Sequence, residues 1–118
     1  MDIEYQILII LFIHWVADFL LQTSKMATNK STSNMWLFFH VYIYSIVWLF
    51  IGIFFFNYKE VILFTIITFI CHFITDYFTS RWTTKLYKLQ NFRKFFKVIS
   101  FDQYLHFLQL ILTYKFLK

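Results

Sequence analysis

Residues 61–77 read VILFTIITFICHFITDY, a run in which Asp76 is the only charged side chain. A helix of that length and apolarity suffices to cross the hydrocarbon of a bilayer. The run nevertheless carries His72 and Asp76. Side chains four apart lie on one helical face, about 5–6 Å between Cβ atoms, so the imidazole and the carboxylate are offered to one point. An aspartate at mid-bilayer costs roughly 2.5–3.5 kcal/mol even on the lenient insertion scale. Something must compensate, and a bound cation is the simplest candidate.

Hydropathy marks three further segments, Tyr5 to Gln22, Met35 to Phe56 and Phe101 to Leu117, each near spanning length. The first repeats the spacing of the third: His14 and Asp18, then Gln22 four later, as Ser80 follows Asp76. The second and fourth carry His40, and Asp102 with His106, near their starts. All four histidines and three of the four aspartates belong to this set. The pattern reads as a weak tandem repeat of one helical hairpin. The expected fold is therefore an all-α membrane protein, residues 1–118 forming one domain of four transmembrane helices in two similar hairpins.

Composition agrees. Of 118 residues, 60% are hydrophobic and only 14% charged, with one glycine and no proline, too much apolar surface for a soluble domain of this size to hide. Asp2 and Glu4 precede the first segment in place of a basic region, so it is expected to remain as a span rather than be removed as a signal peptide. Cys71 stands alone in an apolar stretch and is read as packed, with no intrachain disulfide.

Lysine and arginine set the orientation. Lys25 and Lys30 lie between the first two segments, and Arg81, Lys85, Lys88, Arg93, Lys94 and Lys97 between the last two, whereas the middle connection has only Lys59 beside Glu60. The positive-inside rule puts the first and third connections in the cytoplasm and both termini outside, as a multi-pass protein of a bacterial inner membrane. The partners expected are the bilayer and its anionic headgroups, not nucleic acid, and a homo-oligomer is compatible with the chain. Residues 23–34 are polar, with Ser31 to Asn34 as helix-capping candidates. Residues 82–100 interleave aromatic and basic residues, as an interfacial helix or basic connection before the last span would.

With that orientation, at about 1.5 Å rise per residue, His14 lies roughly 12 Å below Gln22, and His40 and His106 roughly 8 Å below the starts of their spans. All seven residues then share one leaflet. The candidate metal ligands are His14, Asp18, His40, His72, Asp76, Asp102 and His106. A mixed imidazole and carboxylate set suits Zn, Mn, Fe or Ni better than Ca or Mg. Seven donors exceed one zinc site and are enough for two ions, an arrangement suited to phosphoryl displacement. Asp102, His106, Gln22 and Ser80 are the catalytic candidates. Arg81, Lys85 and Tyr44 are the substrate-binding candidates.

The stretches HWVADFLLQTSKMATNKS, WLFFHVYIY, HFITDYFTSRWTTKLY and FDQYLHFLQLILTY, in that order, resemble small phage and bacterial membrane proteins grouped as domain of unknown function family 3307. More distantly, the scattered His and Asp pattern is similar to a LexA-regulated family of membrane-bound, metal-dependent hydrolases. The reading is hydrolysis of an ester or phosphoester with one or two divalent transition metals, His14, Asp18, His72 and Asp76 forming the central shell and His40, Asp102 and His106 completing it. A proton or metal-ion transporter using the same residues, and a phage holin or membrane-interaction protein, are the alternative readings.

Overall fold

The computed structural model describes residues 2–118. The chain forms α1 (Ile3–Trp15), which continues as a π-helical turn (Val16–Leu20), then a short α2 (Ser24–Asn29), α3 (Asn34–Gly52), α4 (Tyr58–Lys88) and α5 (Phe92–Leu117). No strand occurs among the described residues. Caps fix the starts: Thr23 Oγ1 accepts from Met26 N and Ser33 Oγ from Trp36 N, while Asn57 and Glu60 form a reciprocal capping box.

α4 packs against both α3 and α5, and α1 against α5. Along the middle of the helices the outer face is apolar, and the interior holds a polar cluster at one end and an apolar core at the other. On α4, Ile62, Ile66, Ile70, Ile74 and Phe78 recur every fourth residue on the exposed face, while Thr68, His72, Asp76, Thr79 and Ser80 are buried. Such an inversion suits lipid, where no water competes for internal polar groups. The longest dimension is 45 Å, comparable to a bilayer with its headgroup regions, about 40–45 Å. Three helices are long and apolar enough to cross a membrane: Ile3–Leu20, Asn34–Gly52 and Tyr58–Lys88. By length and composition these helices suit an all-helical membrane protein. α5, expected as the fourth span, falls outside that set because Asp102, Gln103, His106, Gln109 and Lys115 dilute its hydropathy.

Residues 82–100 differ from expectation, since they form no separate interfacial helix. They extend α4 to Lys88 and start α5 at Phe92. With no glycine or proline to interrupt it, α4 runs on until a three-residue turn reverses the chain. Gln90 adopts φ 57°, Gln90 N–H donates to Tyr87 O and Asn91 N–H to Leu86 O. This is a Schellman ending with glutamine in the left-handed position that glycine usually fills.

At the far end, the close approach of α3 to α4 depends on Gly52, where an added Cβ would lie 2.5 Å from Val61 Cγ2. Valine is stiff at χ1 and cannot swing clear. Gly52→Ala is expected to lower stability by about 1–3 kcal/mol, the usual cost of overpacking, and Val61→Ala in the same chain should recover part of it. Thermal unfolding in detergent checks both.

Candidate metal centre

Each long helix contributes to one polar cluster. The π turn, marked by Leu21 N–H donating to Val16 O at 3.0 Å, presents Asp18. Such single-turn widenings often occur at functional sites. α3 supplies His40 and, one turn on, Tyr44. α4 supplies His72, Asp76 and Ser80, and α5 supplies Asp102 and His106. Asp18, Asp76 and the four histidines are all buried.

Asp18, His40, His72 and Asp76 form the tightest group. His40 Nε2 lies 3.0 Å from Asp18 Oδ1, 3.2 Å from Asp76 Oδ2 and 3.2 Å from His72 Nε2. His72 Nε2 lies 3.3 Å from Asp76 Oδ2 and 3.5 Å from Asp18 Oδ1. Ligand atoms 2.0–2.1 Å from a tetrahedral ion are separated by about 3.3–3.4 Å, and these five separations bracket that edge. Hydrogen bonding accounts for them poorly. One Nε2 carries at most one proton, yet His40 Nε2 faces three acceptor atoms. Asp18 Oδ1 makes no hydrogen bond although it lies 3.0 Å from that nitrogen, and His72 Nδ1 is buried without a partner. One donor atom from each of the four side chains lies within 4.8 Å of every other. This buried His/Asp group can hold a metal ion.

Asp18, Asp102 and His106 form a second, adjoining group. His106 Nε2 sits 3.0 Å from Asp76 Oδ1 and 3.2 Å from Asp102 Oδ1. The latter oxygen also accepts from Thr79 Oγ1 at 2.6 Å. Asp18 is common to both groups, and Asp76 links the first to His106.

His14 stands outside both groups. Its Nε2 is 2.7 Å from Gln103 Oε1, which only accepts, so that nitrogen carries the proton; Nδ1 then accepts from Tyr44 OH at 2.7 Å. Gln103 Nε2 in turn donates to Asp18 Oδ2 at 3.2 Å and Asp102 Oδ2 at 3.1 Å. A chain Tyr44–His14–Gln103 thus orients two carboxylates from behind, as outer hydrogen bonds commonly do around ligands. Tyr44 is fully buried and stacks on the His72 ring at 3.9 Å. It is not among the residues that line the cavity opening from the cluster.

A cavity of about 630 Å³ opens from the cluster, with Asp18, Asp102 and Gln103 at its base and Gln22, Lys30 and Ser80 on its walls. Gln22 Oε1 and Ser80 Oγ are buried there with no hydrogen-bond partner. Arg81 and Lys85 line a separate shallow hollow instead. Arg81 turns outward, donating to Asn34 Oδ1 at 2.8 Å and Tyr77 O at 2.9 Å, with its guanidinium 3.6 Å from the Tyr77 ring centroid. The cation that reaches the cluster is Lys30, whose Nζ donates to Asp76 Oδ2 at 3.1 Å. Burial alone would push its pKa down. The Asp76 and then the Asp18 carboxylates outweigh that, holding it above its ordinary value and charged. Sequence reading assigned Lys30 only to orientation.

Residues 7–118 match the family described as protein of unknown function (DUF3307). The chain belongs to the DUF3307 family. Comparison with curated proteins finds no match, and comparison with solved structures finds none. That family description names no activity.

Gln103 is the joint of the orienting chain. Gln103→Met removes the acceptor of His14 and the donor shared by Asp18 and Asp102, and is expected to cost about 1–3 kcal/mol for the buried groups left unpaired. Chemical unfolding of the variant beside wild type measures it.

Proposed function

We propose that this protein is an integral membrane metalloprotein, with four spans in two hairpins and both termini outside the cytoplasm, that hydrolyses a phosphoester or related ester using one or two divalent transition metals. The observation that carries this reading is the set of donor separations, 3.0–3.5 Å between atoms brought from three different elements. Charge supports it. Asp18, Asp76 and Asp102 bring three negative charges and Lys30 one positive charge, and a divalent cation balances the remainder without protonating an imidazole.

Asp18, His40, His72 and Asp76 would hold the first ion, and Asp18, Asp102 and His106 a second. A bound Zn, Mn, Fe or Ni supplies a polarised phosphoryl oxygen and a more acidic water. The remaining chemistry belongs to the chain. Asp102 faces the cavity beside His106 and is held by Thr79 and Gln103, placing a proton acceptor where water enters. Gln22 Oε1 can accept from that water, and Ser80 Oγ can donate to substrate. Towards the other end the bundle is filled by Trp48, Phe64, Phe56 and Tyr114, whose rings stand 5.1–5.4 Å apart in sequence of contact. A site open at one end and plugged at the other favours hydrolysis over ion passage.

Protein purified without chelator should contain stoichiometric Zn, Mn, Fe or Ni. His40→Ala and Asp76→Ala should lose it, while Gln109→Ala, whose amide serves Thr68 and Thr113, should keep it. Across a panel of phosphate and carboxylate esters, Asp102→Asn should lower kcat by about 10²–10⁴-fold, the range for general acid–base groups, with the fold intact. A metal-free wild type would overturn the reading. So would a metal-loaded protein that turns over nothing in the panel but carries protons or metal ions into liposomes, a flux lost in Asp18→Asn.

Topology has its own check. The end bearing α2 and the α4–α5 turn carries eight of the eleven lysines and arginines, so it should face the cytoplasm. In a Cys71→Ala background, Lys25→Cys should resist impermeant thiol reagent added to intact cells, and Lys59→Cys should react.

A further inference from the structure

The cavity above the cluster has two kinds of wall. One is hydroxyl-rich, with Thr79, Ser80, Thr83 and Thr84 from α4 and Ser31 and Thr32 from the connection before α3. The other is apolar, made by Phe19, Tyr87, Phe95 and Ile99. Phe19 and Tyr87, which line it, are also 46% and 59% exposed, so the apolar lining is open to the outside of the bundle. Its volume, about 630 Å³, lies within the range of small-molecule sites, roughly 300–1,000 Å³. A free phosphate would leave most of it empty and the apolar wall unused.

The donors are placed for an anion. Ser80 is buried and its hydroxyl has no partner. Lys30 brings an ammonium on the same wall, 3.1 Å from Asp76 Oδ2. Gln22 Oε1, an acceptor without a donor, suits a water or a substrate hydroxyl. Two lysines line the cavity, Lys30 and Lys88, and both carry charge that focuses anions towards the carboxylate floor.

We infer that the substrate is a phosphate-bearing amphiphile of the bilayer, its phosphate held by Lys30 and Ser80 and its chain lying along Phe19, Phe95 and Ile99. The inference rests on the hydrolase reading and specifies its substrate class. In the reaction so specified, water adds to phosphorus, the ester P–O bond breaks, the proton ends on the departing alcohol, and phosphate leaves through the polar mouth while the alcohol stays in the lipid.

Binding tests this apart from turnover. Full-length protein in nonionic detergent, with its metal content measured, is titrated with dihexanoyl phosphatidic acid, glycerol 3-phosphate, inorganic phosphate and dihexanoyl glycerol, following thermal stability. Dihexanoyl phosphatidic acid should bind about a hundredfold tighter than glycerol 3-phosphate, the gain expected from burying a few methylenes, and dihexanoyl glycerol should not bind. Lys30→Gln should weaken every phosphate compound. Ile99→Trp, which fills the apolar side, should weaken the acylated one alone. Equal affinity for dihexanoyl phosphatidic acid and glycerol 3-phosphate, with Ile99→Trp silent, would overturn the inference in favour of a soluble phosphoester. No binding by any phosphate compound to metal-bearing protein would overturn it too. The two readings fail separately. Hydrolysis of soluble esters without preference for the acylated compound removes this inference and leaves the hydrolase, whereas the expected binding without any hydrolysis removes the hydrolase and leaves the ligand.

Discussion

Two carboxylates, Asp18 and Asp76, are 4% and 1% exposed inside a bundle whose outward-facing mid-helix positions are largely apolar, and the polar part of the interior is arranged to tolerate them. An unpaired buried charge costs several kcal/mol even after relaxation. Each carboxylate is therefore met on several sides: Asp76 by His40, His72, His106 and Lys30, and Asp18 by His40, His72 and Gln103. Those partners come from α3, α4, α5 and the connection after α2, and Asp18 itself from the turn that continues α1, so the charges also fix how the helices face one another. With the polar groups committed inward, leucine, isoleucine and phenylalanine are left to the outside, and the inverted surface follows.

The repeated spacing in the sequence acquires a structural meaning here. Asp18 from the π turn meets His40 from α3 at 3.0 Å, and Asp76 from α4 meets His106 from α5 at 3.0 Å. Gln22 and Ser80, each four residues beyond its aspartate, both end as buried polar atoms without partners. The correspondence breaks at the first histidine of each pair. His72 turns its Nε2 into the cluster, while His14 gives its Nε2 proton to Gln103 and serves from outside. Identical i, i+4 spacing places two side chains on one face, but the neighbour across the gap decides which ring nitrogen is free.

That distinction marks how far the residues could be read without coordinates. The helices and the shared depth of the histidines and aspartates follow from hydropathy and the 3.6-residue period, both local properties, whereas the place of His40 rather than His14 beside Asp18, His72 and Asp76 depends on contacts between helices that no period fixes. The fate of Arg81 was also latent in the period. It follows Asp76 by five, roughly 140° around the helix, and so turns to Asn34 and Tyr77 instead of following Ser80 inward. Lys30 was not legible, because it sits just after α2, where no period fixes direction and only the folded connection brings it to Asp76. The length of α4 was obscured for a different reason. Charge ended the apparent span near Tyr77, but charge does not end a helix, and the true stop is the left-handed Gln90.

The two ends of the bundle follow opposite physical rules. At one, Gly52 lets α3 press on Val61, and Trp48, Phe64, Phe56 and Tyr114 interlock around them, a packing in which a single added methyl is felt. At the other, the helices are held apart by hydrogen bonds between side chains, Ser31 with Thr84 at 2.8 Å and Asn34 with Arg81 at 2.8 Å, and a cavity remains. Directional polar contacts hold helices at a distance without filling the space between them, whereas apolar packing gains only by filling it. The aromatic end can therefore supply cohesion for the whole bundle, and the polar end can keep a reactive cluster within reach of water without the protein coming apart there.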